Sequence, residues 1–181
     1  KGQTLGIIGA TGAGKSTIVN LIPRFYDTTH GIVSIDGINV KDYTKEDLIK
    51  KIGVVPQKAV LFAGSIRDNM KIGNENATDE EIWNALQLAQ AKEGQLDYMI
   101  EQNGRNLSGG QKQRLTIARA FVKDPEIIVL DDSASALYFA TDAKLRAALQ
   151  TIHKTTVIVS QRTSSIKHAD LILVLDDGNL V

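Results

Sequence analysis

The sequence predicts an α/β fold in which a mostly parallel sheet, built from both ends of the chain, carries an α-helical subdomain inserted between them. Three observations point there. Strand-length apolar runs recur between helix-prone segments, the pattern of strands buried on both faces and joined by helical crossovers. The middle of the chain replaces those runs with helix-capping signals and helical periodicity. Finally, 181 residues with 43% hydrophobic content fit one domain, long enough to bury roughly two thirds of the surface its unfolded form exposes.

Taken in order, the first strand is "TLGII" (Thr4 to Ile8), followed by the glycine-rich "GATGAGKST" and the helix-prone "STIVNLI". "GIVSI" (Gly31 to Ile35) reads as a second strand. Thr44 with Asp47 reads as a capping box opening a short helix before "KIGVV" (Lys51 to Val55). From Lys58 to Lys123 the signals are mostly helical. There "TDEEIWNALQLAQA" pairs Thr78 as N-cap with Glu81 and then places apolar residues at Ile82, Leu86 and Ala89. Strand signals return with "EIIVL" (Glu126 to Leu130), "TTVIVS" (Thr155 to Ser160) and "LILVL" (Leu171 to Leu175), and the turn-like "DDGN" follows. The division expected is therefore 1–57 and 124–181 as the α/β core and 58–123 as the helical subdomain. Internal repeats and low-complexity linkers are absent. Because the chain opens on Lys1, directly in a strand-like segment, it reads as a fragment of something longer.

Composition narrows the chemistry. With no cysteine, neither a disulfide framework nor a thiolate metal site is available. Lys+Arg 21 against Asp+Glu 21 leaves a formal net charge of +0, so no electrostatic footprint for nucleic acid or anionic lipid exists. The apolar runs are strand-length, far below the roughly 18 residues of a membrane span, and no secretory signal is visible. Any membrane role must come through a partner.

"GATGAGKST", Gly9 to Thr17, fits G-x-x-x-x-G-K-[ST] through Gly9, Gly14, Lys15 and Ser16. The residue types suit phosphate. Glycines let backbone N–H groups turn inward around phosphate oxygens, Lys15 reaches the β and γ phosphates, and Ser16 ligates Mg²⁺. Gly9, Ala10, Thr11, Gly12, Ala13, Gly14, Lys15, Ser16 and Thr17 are thus candidate nucleotide-binding residues on a P-loop NTPase (RecA-like) core. "IIVLDD" then ends a buried strand on Asp131, the position from which a P-loop aspartate holds Mg²⁺. Taken alone, two adjacent Asp at a strand end could equally form a turn or a helix cap.

A second anion-binding helix start lies in "NLSGGQKQRLTIARA", where Ser108 precedes two glycines at the head of a long helix. One nucleotide does not need two such ends from the same molecule, so the economical reading gives Leu107, Ser108, Gly109, Gly110 and Gln111 to a nucleotide held by a second subunit.

With these residues in view, the sequence resembles the nucleotide-binding domains of ABC transporters over nearly its whole length. "GATGAGKS" is similar to the Walker A motif, "VVPQ" ending in Gln57 to the Q-loop, "LSGGQ" to the signature and "IIVLDD" to the Walker B motif. "RFYDTTHGIVSIDG" and "LFAGSIRDNM" resemble the exporter branch, whose membrane helices are usually fused upstream. The resemblance implies ATP and Mg²⁺ as ligands, with Ser16, Gln57 and Asp131 on the metal. It implies a second such domain closing head to tail on the first, and transmembrane domains whose coupling helices meet the helical segment after Gln57. It also implies a place on the cytoplasmic face of the cell membrane. The aromatic residue that stacks on adenine is expected upstream of this chain.

Three departures from the family pattern fall on hydrolysis. Asp132 stands where the family has Glu as general base. The two have similar intrinsic pKa values, about 3.9 and 4.3, so basicity is kept. Reach is lost: one methylene fewer withdraws the carboxylate by something over ~1 Å, and misplacement of that size can cost of order 10²-fold in rate. Gln161 takes the place of a His that contacts the γ-phosphate; its amide donates a hydrogen bond but carries no charge. Tyr138 stands where the family usually shows Asp. Catalytic candidates are accordingly Asp132, Gln161 and Gln57. The expectation is an asymmetric heterodimer in which this chain's own site binds ATP and hydrolyses it slowly while its intact signature completes the partner's site. A fully active homodimeric exporter stays open. A small-molecule kinase has no use for "LSGGQ", and a soluble ABC ATPase of DNA repair usually carries long insertions between the Walker motifs. His30, His153 and His168 read as solvated or locally bonded, Trp83 as packing, Tyr26 as structural, and Lys112, Arg114 and Arg119 as support for the signature helix.

Overall fold

The structure is a computed structural model that describes residues 1–91, 95–133 and 139–181, apart from the side chains of residues 139, 140 and 142. In chain order the elements are β1 (Thr4–Gly9), α1 (Lys15–Leu21), β2 (Ser34–Ile35), β3 (Ile38–Asn39), α2 (Lys45–Lys51), β4 (Ile52–Val55), β5 (Gly64–Ser65) and α3 (Ile66–Lys71). They continue with α4 (Asp79–Leu88), β6 (Met99–Ile100), α5 (Gly109–Phe121), β7 (Ile127–Asp131), α6 (Phe139–Thr151), β8 (Thr155–Val159), α7 (Thr163–Ile166), β9 (Leu171–Asp176) and β10 (Asn179–Leu180). Six strands form one sheet in the order β10-β9-β1-β8-β7-β4, every pair parallel except the antiparallel β10–β9 edge.

The continuous apolar runs are explained by burial on both faces. Along β7, Ile128 and Leu130 enter one core with helices α3, α4 and α5, while Val129 between them enters the other core with Ile7, Val19 and Leu48. β8 divides the same way, Ile158 to the first core, Val157 and Val159 to the second. The ladder register pairs Asp131 with Val159 and Ile7 with Val159, so the C-terminal ends of β1, β8 and β7 lie side by side. In an open parallel sheet that edge is where ligands bind.

The α4 reading holds in detail: Thr78 accepts from the Glu81 backbone N–H, Glu81 accepts from the Thr78 N–H at 2.8 Å, and Ile82, Leu86 and Ala89 are buried. Three expectations need correction. "GIVSI" is not a strand of the main sheet: only Ser34–Ile35 is extended, paired antiparallel with Ile38–Asn39. The Asp36–Gly37 turn, with φ of 52 and 79, is the left-handed pair that a two-residue hairpin demands, and it folds the segment back on itself. The Thr44 cap is half a capping box: the Thr44 side chain accepts from the Asp47 N–H, but the Asp47 carboxylate takes the Thr44 hydroxyl at 2.7 Å instead of its backbone. The segment after Lys58 is mostly helical as expected, with a short β5–β6 hairpin among its helices. Trp83 is 42% exposed and Tyr26 is 66% exposed, so neither is a packing residue in this chain. Tyr138 lies outside the described residues.

Candidate functional site

The loop after β1 is shaped by its glycines. Gly12 and Gly14 have φ of 87 and 89, left-handed values that favour glycine, and Gly14 is the N-cap of α1. At Gly9 an added Cβ would stand 2.3 Å from the Leu175 carbonyl oxygen, so the strand can leave the sheet there only as glycine. Ala13 is buried and its N–H donates to the Ala10 carbonyl at 3.1 Å, closing the turn. The buried Lys15 ammonium curls back into this loop and donates to the carbonyls of Gly9 at 2.7 Å and Ala10 at 2.6 Å.

One open cleft over the C-terminal edge of the sheet is lined by Thr11, Gly12, Gly14, Lys15, Ser16, Thr17, Gln57, Asp131, Asp132, Val159 and Gln161. Within it the Ser16 hydroxyl donates to Asp131 Oδ1 at 3.0 Å, joining the two groups expected on the metal. The Gln57 amide donates to Asp132 Oδ2 at 3.3 Å. Burial first, then the charge of Asp131, pushes the Asp132 carboxyl above the ordinary carboxylate range, against the pull of Lys15 and Arg162. Asp132 also sits on left-handed backbone, φ 46, fixed by its own N–H donating to the Val159 carbonyl at 3.0 Å.

A hydroxyl and a carboxylate in contact, with further room beside them, form a hard-oxygen set that suits Mg²⁺, an ion usually held by one or two protein oxygens together with substrate phosphates. Among the described residues no group of three or more His, Asp or Glu could hold a metal without such help. The glycine loop, Lys15, Ser16, Asp131 and Gln57 therefore fit a nucleotide phosphate and its magnesium ion.

Leu107, Ser108, Gly109, Gly110 and Gln111 take no part in lining this cleft. Ser108 and Gly109 are exposed at the head of α5, where Ser108 and Gln111 close a capping box: the Gln111 N–H donates to Ser108 Oγ at 3.3 Å and the Ser108 N–H to Gln111 Oε1 at 2.8 Å. Two participants escaped the sequence reading. Val159 closes the cleft as the last residue of β8, and Arg162 places its charge on Asp132 from the loop that also carries Gln161. The signal for both was position, at or just beyond the C-terminal end of a parallel strand.

A glycine loop turned around a lysine, set against a strand-end aspartate at the edge of a parallel sheet, defines a P-loop nucleotide-binding domain. The chain belongs to the ABC transporter family, whose sequence pattern it matches over residues 1–135. It is 48% identical over 185 residues to the "Uncharacterized ABC transporter ATP-binding protein YfiB" of Bacillus subtilis (strain 168), covering 99% of this chain and 32% of that protein. It is 45% identical over 188 residues to the "Beta-(1-->2)glucan export ATP-binding/permease protein NdvA" of Bartonella quintana (strain Toulouse), with 99% and 32% coverage. Among solved structures, a bacterial Atm1-family ABC exporter with ATP bound superposes with a TM-score of 0.93 at 38% identity, covering 99% of this chain and 33% of that one. The chain thus spans about a third of the length of the curated relatives it matches.

Proposed function

We propose that this chain is the ATP-hydrolysing part of an exporter, that it works as one half of a nucleotide-sandwiching pair, and that its own site is the slower of the two. The observation that carries the reading is the separation within one molecule. The cleft assembles Lys15, Ser16, Asp131 and Gln57, whereas Leu107–Gln111 take no part in it, with Ser108 and Gly109 exposed elsewhere on the surface. A second domain arriving head to tail would bring its signature to this cleft and receive this one's. Glycine-loop N–H groups and Lys15 bind and orient the phosphates, and Ser16, Asp131 and Gln57 would hold a magnesium ion, which would supply positive charge against the phosphate oxygens. Asp132 is the base available to the attacking water, and Gln161 the hydrogen-bond donor beside it.

Slow turnover is supported by the state of Asp132. Its carboxylate is one methylene short of the family's Glu, it starts from left-handed backbone, and it is engaged with Gln57. Gln161 offers no charge to compensate. The opposite reading, a fully active homodimer, draws on one observation: Asp132 still lines the cleft.

The printed name of the relative NdvA couples an ATP-binding part to a permease. On that ground we assign the partner of this chain, besides the second nucleotide-binding domain, to transmembrane domains, and its place to the cytoplasmic side of the cell membrane. Residues 1–57 and 124–181 form the ATP-binding core, and 58–123 the helical subdomain that faces those membrane domains. In support, β4 and β7, which end and resume the main sheet at Val55 and Ile127, are neighbours, and α3, α4 and α5 lie between them in the chain. Native mass spectrometry of the purified full-length transporter tests the pairing. Two different half-transporter masses are expected in the complex; a complex of identical chains contradicts the heterodimer.

A further inference from the structure

Two connections that leave the sheet side by side carry groups of the cleft. β7 ends on Asp131 and passes Asp132 on the way to α6, while β8 ends on Val159 and passes Gln161 and Arg162 on the way to α7. At the strand ends they are tied by the Asp132 N–H on the Val159 carbonyl. A second tie lies farther along: Arg146, in the middle of α6, donates from Nη1 to the part-buried Ser164 carbonyl of α7 at 2.7 Å.

α7 needs that bond. It spans only Thr163–Ile166, its N-cap Arg162 makes no side-chain cap hydrogen bond, and a helix so short leaves most of its carbonyls without an intrahelical donor. Its other contacts are internal to the connection or face β1. The Lys167 N–H takes the Thr163 carbonyl and the Ser165 N–H the Arg162 carbonyl, both at 3.0 Å. The buried Ser160 accepts from the Arg162 N–H at 3.0 Å. Ile166 lies so close on β1 that a Cβ added at Gly6 would stand 2.9 Å from the Ile166 Cβ. The Arg146 bond is the contact that faces the connection of Asp132. α6 is anchored in turn, since Leu145 and Leu149 are buried in the same core as Ile158 and Ile166. A guanidinium on a fixed helix makes a charge-assisted, directional bond, and this one sets where α7 begins, directly after Arg162.

We infer that Arg146 is a positioning residue for the cleft: by holding the Ser164 carbonyl it sets the place of Gln161 and Arg162 relative to Asp132. Arg146 does not line the cleft and lies outside the glycine loop, the signature and the strand-end aspartates. This role rests on the reading of the cleft as a slow site of ATP hydrolysis and adds to it a residue that acts from behind. The phosphate-binding groups, Lys15 and Ser16, sit on α1 and have no part in the tie. Loss of Arg146 should therefore reach the reacting end of the nucleotide and spare its binding.

The test is steady-state ATPase of the full-length transporter with its companion half. Arg146→Met keeps the apolar stem and removes the guanidinium, and Arg146→Lys keeps the charge and a donor. Both are made in a Ser108→Arg background, where the turnover that remains belongs to this chain's own cleft. We expect Arg146→Met to lower kcat at least ~5-fold with the KM for ATP within ~2-fold, and Arg146→Lys to recover about half of the loss or more. An unchanged KM shows that the cleft still folds. If Arg146 acts through Gln161, the losses from Arg146→Met and Gln161→Ala should not multiply when the two are combined. An unchanged kcat, a KM that rises with the loss of kcat and is not recovered by Lys, or losses that multiply with Gln161→Ala overturn the inference. If Ser108→Arg leaves no more turnover than Lys15→Ala does, the slow-site reading fails instead. The same comparisons are then made with Ser108 in place, where all turnover comes from equivalent clefts and the kcat and KM of Arg146→Met decide its role by the same criteria.

Discussion

Asp131 meets Lys15 and Ser16 in one cleft across more than a hundred residues of chain, and that meeting is legible in the sequence because each residue type serves one physical need of a phosphate. The glycines serve backbone geometry, and the left-handed φ at Gly12 and Gly14 shows what they were needed for. Left-handed backbone at Asp132 was not readable, since nothing in "LDDS" demands it. It arises because the Asp132 N–H is turned to the end of β8, onto the Val159 carbonyl. Asp tolerates that conformation better than Glu does. Asp132→Glu, the apparent repair towards the family residue, should therefore cost about 0.5–1 kcal/mol of stability. Urea denaturation of the two chains side by side measures this.

At the scale of elements, the sequence was most informative where a cap and a periodicity agree. Thr78, Glu81, Ile82, Leu86 and Ala89 placed α4 correctly because the reciprocal cap hydrogen bonds and the buried stripe are local properties of one helix. Thr78→Ala should lower stability by about 1 kcal/mol through loss of the N-cap, measurable as a shift of the denaturation midpoint with unchanged slope. "GIVSI" misled because its apolar residues are strand-like but its pairing is decided downstream, by the Asp36–Gly37 turn. Trp83 misled for a related reason: helical spacing from Leu86 does not fix which face of α4 it occupies, and it lies outside the buried stripe.

For the whole molecule, charge balance hides a sign structure that titration should expose. Asp68 is held below the ordinary carboxylate range by hydrogen bonds from Ser65, Asp79 by hydrogen bonds from Arg67, and Asp27 by a hydrogen bond from Arg24. Groups depressed in the folded state contribute stability that is fully present above their unfolded pKa, about 3.9, and lost as pH falls through the folded values. Asp132, raised by burial, runs the opposite way: its contribution is present below about pH 3.9 and lost as pH rises through its folded value. Three depressed groups against one raised group predict a net loss of stability on acidification below about pH 4. Ser65→Ala, which removes the main bond to Asp68, should make that acid limb shallower in denaturation curves taken across pH 3 to 7.

The same scale holds the central claim, that this chain keeps its binding motifs for its own nucleotide and its signature for a partner's. Steady-state ATPase of the full-length transporter, purified with its companion half, tests it directly by comparing the unmodified protein with Asp132→Ala and Ser108→Arg. The account predicts that Ser108→Arg abolishes most of the activity while Asp132→Ala leaves it nearly unchanged. Equal, large losses from both substitutions would contradict it and make Asp132 the working base of a fully active pair.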